Sequence, residues 1–335
     1  MKNFIKRHKI ISGILIYLIV VVLALFVVSH AVYHRSFVAT VIEIYMVIID
    51  REKIYAEGPD FDANVAERAV TNLEPYLKPD SVKMDVSYYD TYEHGMQVYH
   101  FNEEAFTDTM IIYYPGGGYL NNPLKYHWKI INKLSQETNC PVLMPVYPKV
   151  PNYTCEESYE IVMKFYLDVA KNEDIKRVIF MGDSSGGGMS LVMAQLLRDE
   201  HPEVLQPEEL ILISPWLDVS ADNEEIKTVD PDDPMLDEYG LVEIGKMWAG
   251  DLDVHDPMVS PIYGTFENLG RITMFASTRD ILCLEDVNFS EMLTEQGIDH
   301  IFVLEEGLNH PYALFPIPEA AKAREVMVDV ILGNR

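Results

Sequence analysis

Cysteine is scarce in this chain: 335 residues hold three, Cys140, Cys155 and Cys283. The number is odd, and the spacing suits neither a zinc site nor a disulfide framework. Cys140 precedes a strand-like apolar run and Cys155 follows it by a loop, so they stand at opposite ends of a strand, too far apart to bridge. All three are expected to be free thiols without a catalytic role. Basic residues are also scarce once the opening stretch is set aside. Residues 1–35 carry Lys2, Lys6, Arg7, Lys9 and Arg35 and no acid, which leaves 21 basic against 53 acidic side chains in residues 36–335. Such a surface repels nucleic acid and anionic lipid, which argues against a DNA or RNA partner. Internal repeats and low-complexity linkers are absent. No glycine-rich run is followed by Lys-Ser or Lys-Thr, which excludes a phosphate-binding P-loop.

Long apolar runs are limited to one. Ile10 to Val28 is apolar apart from Ser12, Gly13 and Tyr17 and carries no charge, close to the length that spans a bilayer as a helix. Four basic residues precede it and only Arg35 follows closely, so the positive-inside rule places the N-terminus in the cytoplasm and the rest outside. A secreted protein released by signal cleavage is the alternative, since Ser29-His30-Ala31 resembles a cleavage site. The apolar core is longer than the usual ~7–15 residues, which favours an uncleaved anchor. The expected organisation is a basic cytoplasmic segment over 1–9, a transmembrane anchor over 10–29, and helices within 36–80. Those helices are Val38 to Ile49 and Ala66 to Leu77. A larger domain follows over 81–335.

Within that domain, the stretch Arg177 to Gly188, RVIFMGDSSGGG, carries the chemistry. Val178 to Met181 is a strand-length apolar run. Gly182-Asp183-Ser184-Ser185-Gly186 fits G-x-S-x-G, and Met189 to Leu197 reads as a helix. This context puts Ser184 at the tip of a sharp strand-to-helix turn, where a side chain at Gly182 or Gly186 would collide with neighbouring backbone. The helix aims its free N–H groups at the same spot, and the N–H of Ser185 would face an oxyanion formed at Ser184.

Strands and helices alternate around this turn. Val82 to Tyr89 and Met96 to Phe101 are expected to form a hairpin around Glu93-His94-Gly95. Met110 to Tyr114, Val142 to Val146, Leu210 to Ile213, Arg271 to Ala276 and Ile301 to Leu304 are the further strands. Helices are expected over Tyr126 to Glu137, Glu156 to Lys171, Glu285 to Glu295 and Glu319 to Leu332. The rhythm implies an α/β fold with a mostly parallel sheet and helices on both faces. Val219 to Ile262 breaks the rhythm with an Asp- and Pro-rich insertion holding a short helix, Leu241 to Ala249. An insertion that long is usually functional.

Ligands of such sheets collect at the carboxyl ends of the strands. Asp280 follows the strand Arg271 to Ala276 by a short loop, and His310 follows Ile301 to Leu304 by another. His300 precedes its strand and falls at the wrong edge. Glu285 and Asp286 fall inside a helix and are poorer candidates. Ser184, His310 and Asp280 can then act as nucleophile, general base and orienting acid. Tyr114-Pro115-Gly116-Gly117-Gly118-Tyr119 follows the third strand, and its glycines let backbone N–H groups approach a reacting atom closely.

With GGG after the third strand, GDSSGG at the elbow, SPWLD at Ser214 to Asp218, Arg279-Asp280 and His310, residues 81–335 resemble the hormone-sensitive-lipase-like, acetyl esterase branch of the α/β-hydrolases. The order Ser184, Asp280, His310 is the order that α/β-hydrolases use. The resemblance implies oxyanion contacts from the N–H groups of Gly116, Gly117 and Ser185. It also implies a cap over the site, built from the helices within 36–80 and from the insertion at about 219–262. That family usually has His before the glycines, where this chain has Pro115. Proline is expected to stiffen the loop by a different route and leave Gly116 and Gly117 able to donate. The implied activity is hydrolysis of small carboxylic esters with short acyl chains, at a membrane anchored through the N-terminal helix, without metal or cofactor. An amidase or peptidase using the same triad is the alternative among enzymes. A catalytically silent surface protein that keeps the fold for binding is the alternative outside them.

Overall fold

The computed structural model describes residues 2–49, 52–105, 107–230 and 233–335, with side-chain surroundings from residue 11 onward. The basic side chains of Lys2, Lys6, Arg7 and Lys9 therefore lie outside the described set, as do Pro231 and Asp232 of the insertion.

The chain opens with one long helix, α1 (Lys2–Ala31). Its stretch Ile11–Ala31 is long and apolar enough to cross a membrane, and within it only Ser29 is buried in the protein. Five residues on, α2 (Phe37–Ile48) begins at Ser36, whose hydroxyl accepts the N–H of Ala39 as an N-cap. The next helix, α3, is Pro59–Thr71, displaced from the expected Ala66 to Leu77. Pro59 presets the first turn, and Asp60 and Asp62 suit its positive end. Beyond it, the Asn72 side chain donates to the carbonyls of Leu120 and Val150, and Pro75 cannot continue a helix.

Eight strands form one sheet in the order β1-β2-β4-β3-β5-β6-β7-β8. They are β1 (Tyr88–Glu93), β2 (Met96–Phe101), β3 (Thr109–Tyr114), β4 (Val142–Val146), β5 (Arg177–Asp183), β6 (Pro207–Ile213), β7 (Arg271–Ser277) and β8 (His300–Glu305). The hairpin β1–β2 turns at His94-Gly95 and joins β4 antiparallel. All other pairings are parallel. The first strand is later than the expected Val82 to Tyr89. The N–H groups of Asp85 and Val86 are taken by the side chain of Asn132, so that stretch has no need of a neighbouring strand.

Side-chain alternation along the parallel strands supplies two cores, one per face. Ile112, Phe180, Leu212 and Met274 belong to one, and Ile111, Ile179, Ile211 and Phe275 to the other. The first core is covered by α5 (Cys155–Val169), α6 (Ser185–Glu200) and α9 (Cys283–Glu295). The second is covered by α4 (Lys125–Thr138) and α10 (Pro318–Ile331). The insertion after β6 holds α7 (Ile226–Val229) and α8 (Glu238–Ala249). Helix α8 is fastened by Trp248, which stacks on Tyr119 with centroids 4.0 Å apart, and Tyr119 stacks on Trp216 at 5.5 Å. Each such pair contributes roughly 0.5–1.5 kcal/mol beyond its buried area. The insertion is thereby fixed to the glycine-rich loop after β3.

Candidate active site

Ser184 stands between β5 and α6 with φ 54° and ψ −127°. A non-glycine residue there is strained by roughly 1–3 kcal/mol, and the surroundings hold it in place. Its N–H donates to the carbonyl of Ile213 at 2.9 Å, and its own carbonyl accepts from Gly187 and Trp216, each at 2.9 Å. Trp216 belongs to SPWLD, so that motif braces the turn. A Cβ at Gly182 would lie 2.2 Å from the carbonyl oxygen of Gly186, and one at Gly186 would lie 1.9 Å from that of Tyr114. Only glycine fits at either position. Helix α6 starts at Ser185, earlier than the expected Met189, because the three glycines form its first turns despite their poor helix propensity.

Asp280 and His310 come from the loops after β7 and β8 and meet as a buried pair. His310 Nδ1 lies 2.8 Å from Asp280 Oδ2, while Asp280 Oδ1 accepts the N–H of Leu282 at 3.0 Å. With Nδ1 occupied, His310 is left with Nε2 for other partners. Burial pulls the imidazole pKa down. The charge and hydrogen bond of Asp280, with smaller contributions from Asp233 and Asp183, more than offset it, so the net shift is upward. Ser184 and His310 line one cavity of about 360 Å³, with Gly117 and Gly118 on its wall. Its apolar boundary comes from α2, through Ile42 and Met46, from the insertion, through Met235 and Leu241, and from Leu314. His300 sits at the opposite edge of the sheet, bonded to Ser290.

The glycine-rich loop corrects one expectation. The N–H of Gly116 donates to Asp183 Oδ1 at 3.1 Å, so it is committed to that carboxylate. Gly117 and Gly118 are the loop residues that face it. Asp183, the variable residue of the elbow motif, also accepts from the Tyr113 hydroxyl at 2.7 Å and from His127 Nε2 at 3.1 Å. His127 Nδ1 accepts the N–H of Leu124, which places the ring proton on Nε2, facing Asp183. Burial raises the Asp183 pKa, but His127, Tyr113 and Gly116 together hold it below the usual range. Pro115 is secured as well: its carbonyl accepts the hydroxyl of Tyr147 at 2.7 Å.

Three features of this site escaped the sequence reading. Tyr147 follows β4 and His127 belongs to α4, and neither element carries a motif. Asp233 is the third: fully buried, its carboxylate accepts the N–H groups of Met235, Leu236 and Ile281. Burial and the charge of Asp280 push its pKa up to about 7. Its only signal was a place in an Asp-rich insertion, where nothing sets it apart from its neighbours. Cys140, Cys155 and Cys283 are free and buried. Burial raises all three thiols, Cys155 to about 12, so none is a thiolate near neutral pH. Among the described residues, no group of His, Cys, Asp and Glu is arranged to hold a metal ion.

Comparison with known proteins agrees with this architecture. A family described by its alpha/beta hydrolase fold matches residues 111–314. A triacylglycerol lipase of Mycobacterium tuberculosis is 27% identical over 227 residues, 68% of this chain and 47% of the lipase. The chain thus spans about half the length of that relative. A solved structure from Staphylococcus aureus, described as a candidate esterase, superposes with a TM-score of 0.79 at 27% identity, covering 84% of this chain and 95% of its own. An esterase from the bacterial hormone-sensitive lipase family superposes with a TM-score of 0.68 at 21% identity, covering 83% and 99%. That last likeness concerns the fold alone. With its elbow, sheet order and matched span together, the chain belongs to the alpha/beta hydrolase family.

Proposed function

We propose that this protein is a membrane-anchored serine hydrolase that cleaves carboxylic esters of short acyl chains through an acyl-enzyme. The observation that carries the reading is the buried His310–Asp280 pair, 2.8 Å apart, beside the cavity that His310 shares with Ser184. Asp280 holds the proton on Nδ1, so Nε2 is the base that takes the Ser184 hydroxyl proton as Oγ attacks the ester carbon. The N–H groups of Gly117, Gly118 and Ser185 receive the oxyanion. His310 then returns the proton to the leaving alcohol, and a water activated by the same nitrogen frees the acid and restores Ser184. The esterases and the lipase among the relatives agree with this class. A cavity of about 360 Å³ lies near the lower end of the ~300–1,000 Å³ typical of ligand sites, which suits a short acyl group.

The anchor is supported by how α1 ends. Ser29 is fully buried, and its hydroxyl donates to Thr40 Oγ1 at 2.8 Å. Phe26 packs near Phe37, 6.3 Å between centroids. Helix α1 runs unbroken to Ala31, so cleavage after Ala31 would cut a helix already packed against α2. With the basic segment cytoplasmic, the hydrolase domain is extracytoplasmic.

Labelling of the full chain by a fluorophosphonate, lost in Ser184→Ala, tests the nucleophile. Turnover of p-nitrophenyl esters of graded acyl length tests the substrate class. No labelling of the wild-type protein would overturn the reading.

A further inference from the structure

Helix α2 has two faces and only one is accounted for. Ala39, Thr40 and Met46 are buried, and Ile42 and Met46 line the cavity that holds Ser184. The other face presents Val38, Val41, Tyr45 and Ile48 to the outside, with Ile48 75% exposed. These positions recur at helical spacing and form one stripe. The stripe carries no charge, in a chain whose residues 36–335 hold 53 acidic side chains. The single charged residue of α2, Glu43, is turned inward onto Arg35 and Arg279. Exposed apolar residues continue to the mouth of the cavity, where Tyr45, Ile49 and Leu124 are both exposed and part of its lining.

The occupant of this stripe follows from what precedes it. Helix α1 exposes an apolar length fit to cross a bilayer and ends five residues before α2. The two are packed together through Ser29, Thr40, Phe26 and Phe37. A chain emerging from a membrane at Ala31 therefore has α2 within reach of the same lipid surface. A short helix with an uncharged apolar outer face beside such a surface lies in it rather than in water.

We propose that the outer face of α2 is embedded in the bilayer surface, so that the cavity opens onto lipid and takes an ester dissolved in the membrane. The proposal rests on the anchored-hydrolase reading above. The ester enters past Tyr45, Ile49 and Leu124 without crossing water, its acyl group reaching Ser184 and its alcohol part trailing toward the lipid.

The test uses the full-length chain in phosphatidylcholine vesicles and two substrates with the same reacting group. One is p-nitrophenyl acetate in water. The other is a nitrophenyl acetate bearing a hexadecyl chain on the ring, which holds it in the bilayer. The double variant Val41→Glu, Ile48→Glu is expected to keep its rate on the soluble ester within twofold and to lose at least tenfold on the embedded one. Equal loss on both, or none on the embedded ester, overturns the proposal. A nitroxide on Ile48→Cys, the native cysteines being buried, is expected to be reached by oxygen rather than by a water-soluble nickel relaxant. The reverse also overturns it. Flotation with the vesicles, read on wild type and variant alike, reports the anchor separately, and fluorophosphonate labelling reports the nucleophile. Failure of either of those is thereby distinguished from failure at α2.

Discussion

The hydroxyl of Tyr147 donates to the carbonyl of Pro115 at 2.7 Å. One residue on, the N–H of Gly116 donates to Asp183. Both ends of the Pro115–Gly116 peptide are thus tied to buried side chains, and the loop that carries Gly117 and Gly118 is positioned without a histidine at 115. Proline constrains φ, but these two hydrogen bonds set the loop's place. Tyr147→Phe removes one bond and leaves the carbonyl unpaired, which costs about 1–3 kcal/mol. The expected outcome is a fall in kcat of roughly three- to thirtyfold with KM little changed, whereas Pro115→Ala changes kcat less than threefold. Steady-state kinetics on one short-chain ester decide between them, and the opposite ranking would refute the tether.

Gly117 has φ +143°, and a Cβ there would lie 2.5 Å from the carbonyl oxygen of Asn121. Gly117→Val is strained and displaces the loop. Losing one oxyanion donor costs ~2.7–4 kcal/mol, so kcat is expected to fall about a hundredfold or more. Unchanged turnover in a folded variant would show that the oxyanion is held elsewhere.

Ser184→Ala is expected to abolish nearly all turnover while the thermal midpoint rises or stays level, since alanine keeps the fold without the buried hydroxyl. His310→Ala should cost a comparable factor in kcat, because triad members act as a unit. Activity in purified Ser184→Ala at the wild-type level would move the nucleophile to another residue.

The pH profile follows from the carboxylates around His310, namely Asp280, Asp233 and Asp183. They raise the imidazole above its ordinary value, so kcat/KM is expected to rise with pH through a midpoint above about 6.5. Stability carries a second signature. Asp233 keeps its proton to about pH 7 when folded and to about pH 4 when unfolded. The folded state binds more protons between those values, so this group's contribution is complete below about pH 4 and is lost as pH rises to about 7. The difference in melting temperature between pH 5 and pH 8 should shrink in Asp233→Asn. An identical difference in both proteins would show that Asp233 does not titrate there.

The turn at Ser184 and the placement of Asp280 and His310 at one edge of the sheet were legible because each is local. G-x-S-x-G needs five consecutive residues, and Asp280 and His310 each follow a recognisable strand. The supports of the site were not legible, because their partners meet only through folding. Tyr147 reaches Pro115 across 32 residues, and Arg35 reaches the Gly307 carbonyl across 272. Gly116 illustrates a finer limit. Three glycines in a row show that backbone comes close to a reacting atom, but the direction of each N–H depends on Asp183, which the loop's own sequence does not contain. The start of β1 was misplaced for a similar reason, since Asn132 satisfies Asp85 and Val86 from a distant helix.

Arg35 is buried where α2 meets the loop after β8. Its guanidinium donates to Glu43 and, at 2.6 Å, to the carbonyl of Gly307 in the loop that leads to His310. Glu43 in turn accepts from Arg279, the neighbour of Asp280. Removing one member of a buried ion pair costs roughly 3–5 kcal/mol. The boundary suggested by hydropathy, near residue 35, therefore runs through the support of the loops that carry Asp280 and His310. A soluble enzyme trimmed to begin at residue 36 would discard Arg35 and leave Glu43 and the Gly307 carbonyl short of a partner. One trimmed to begin at residue 29 would keep Ser29, Arg35 and their contacts. Where α1 is cut thus decides whether the released protein retains its order.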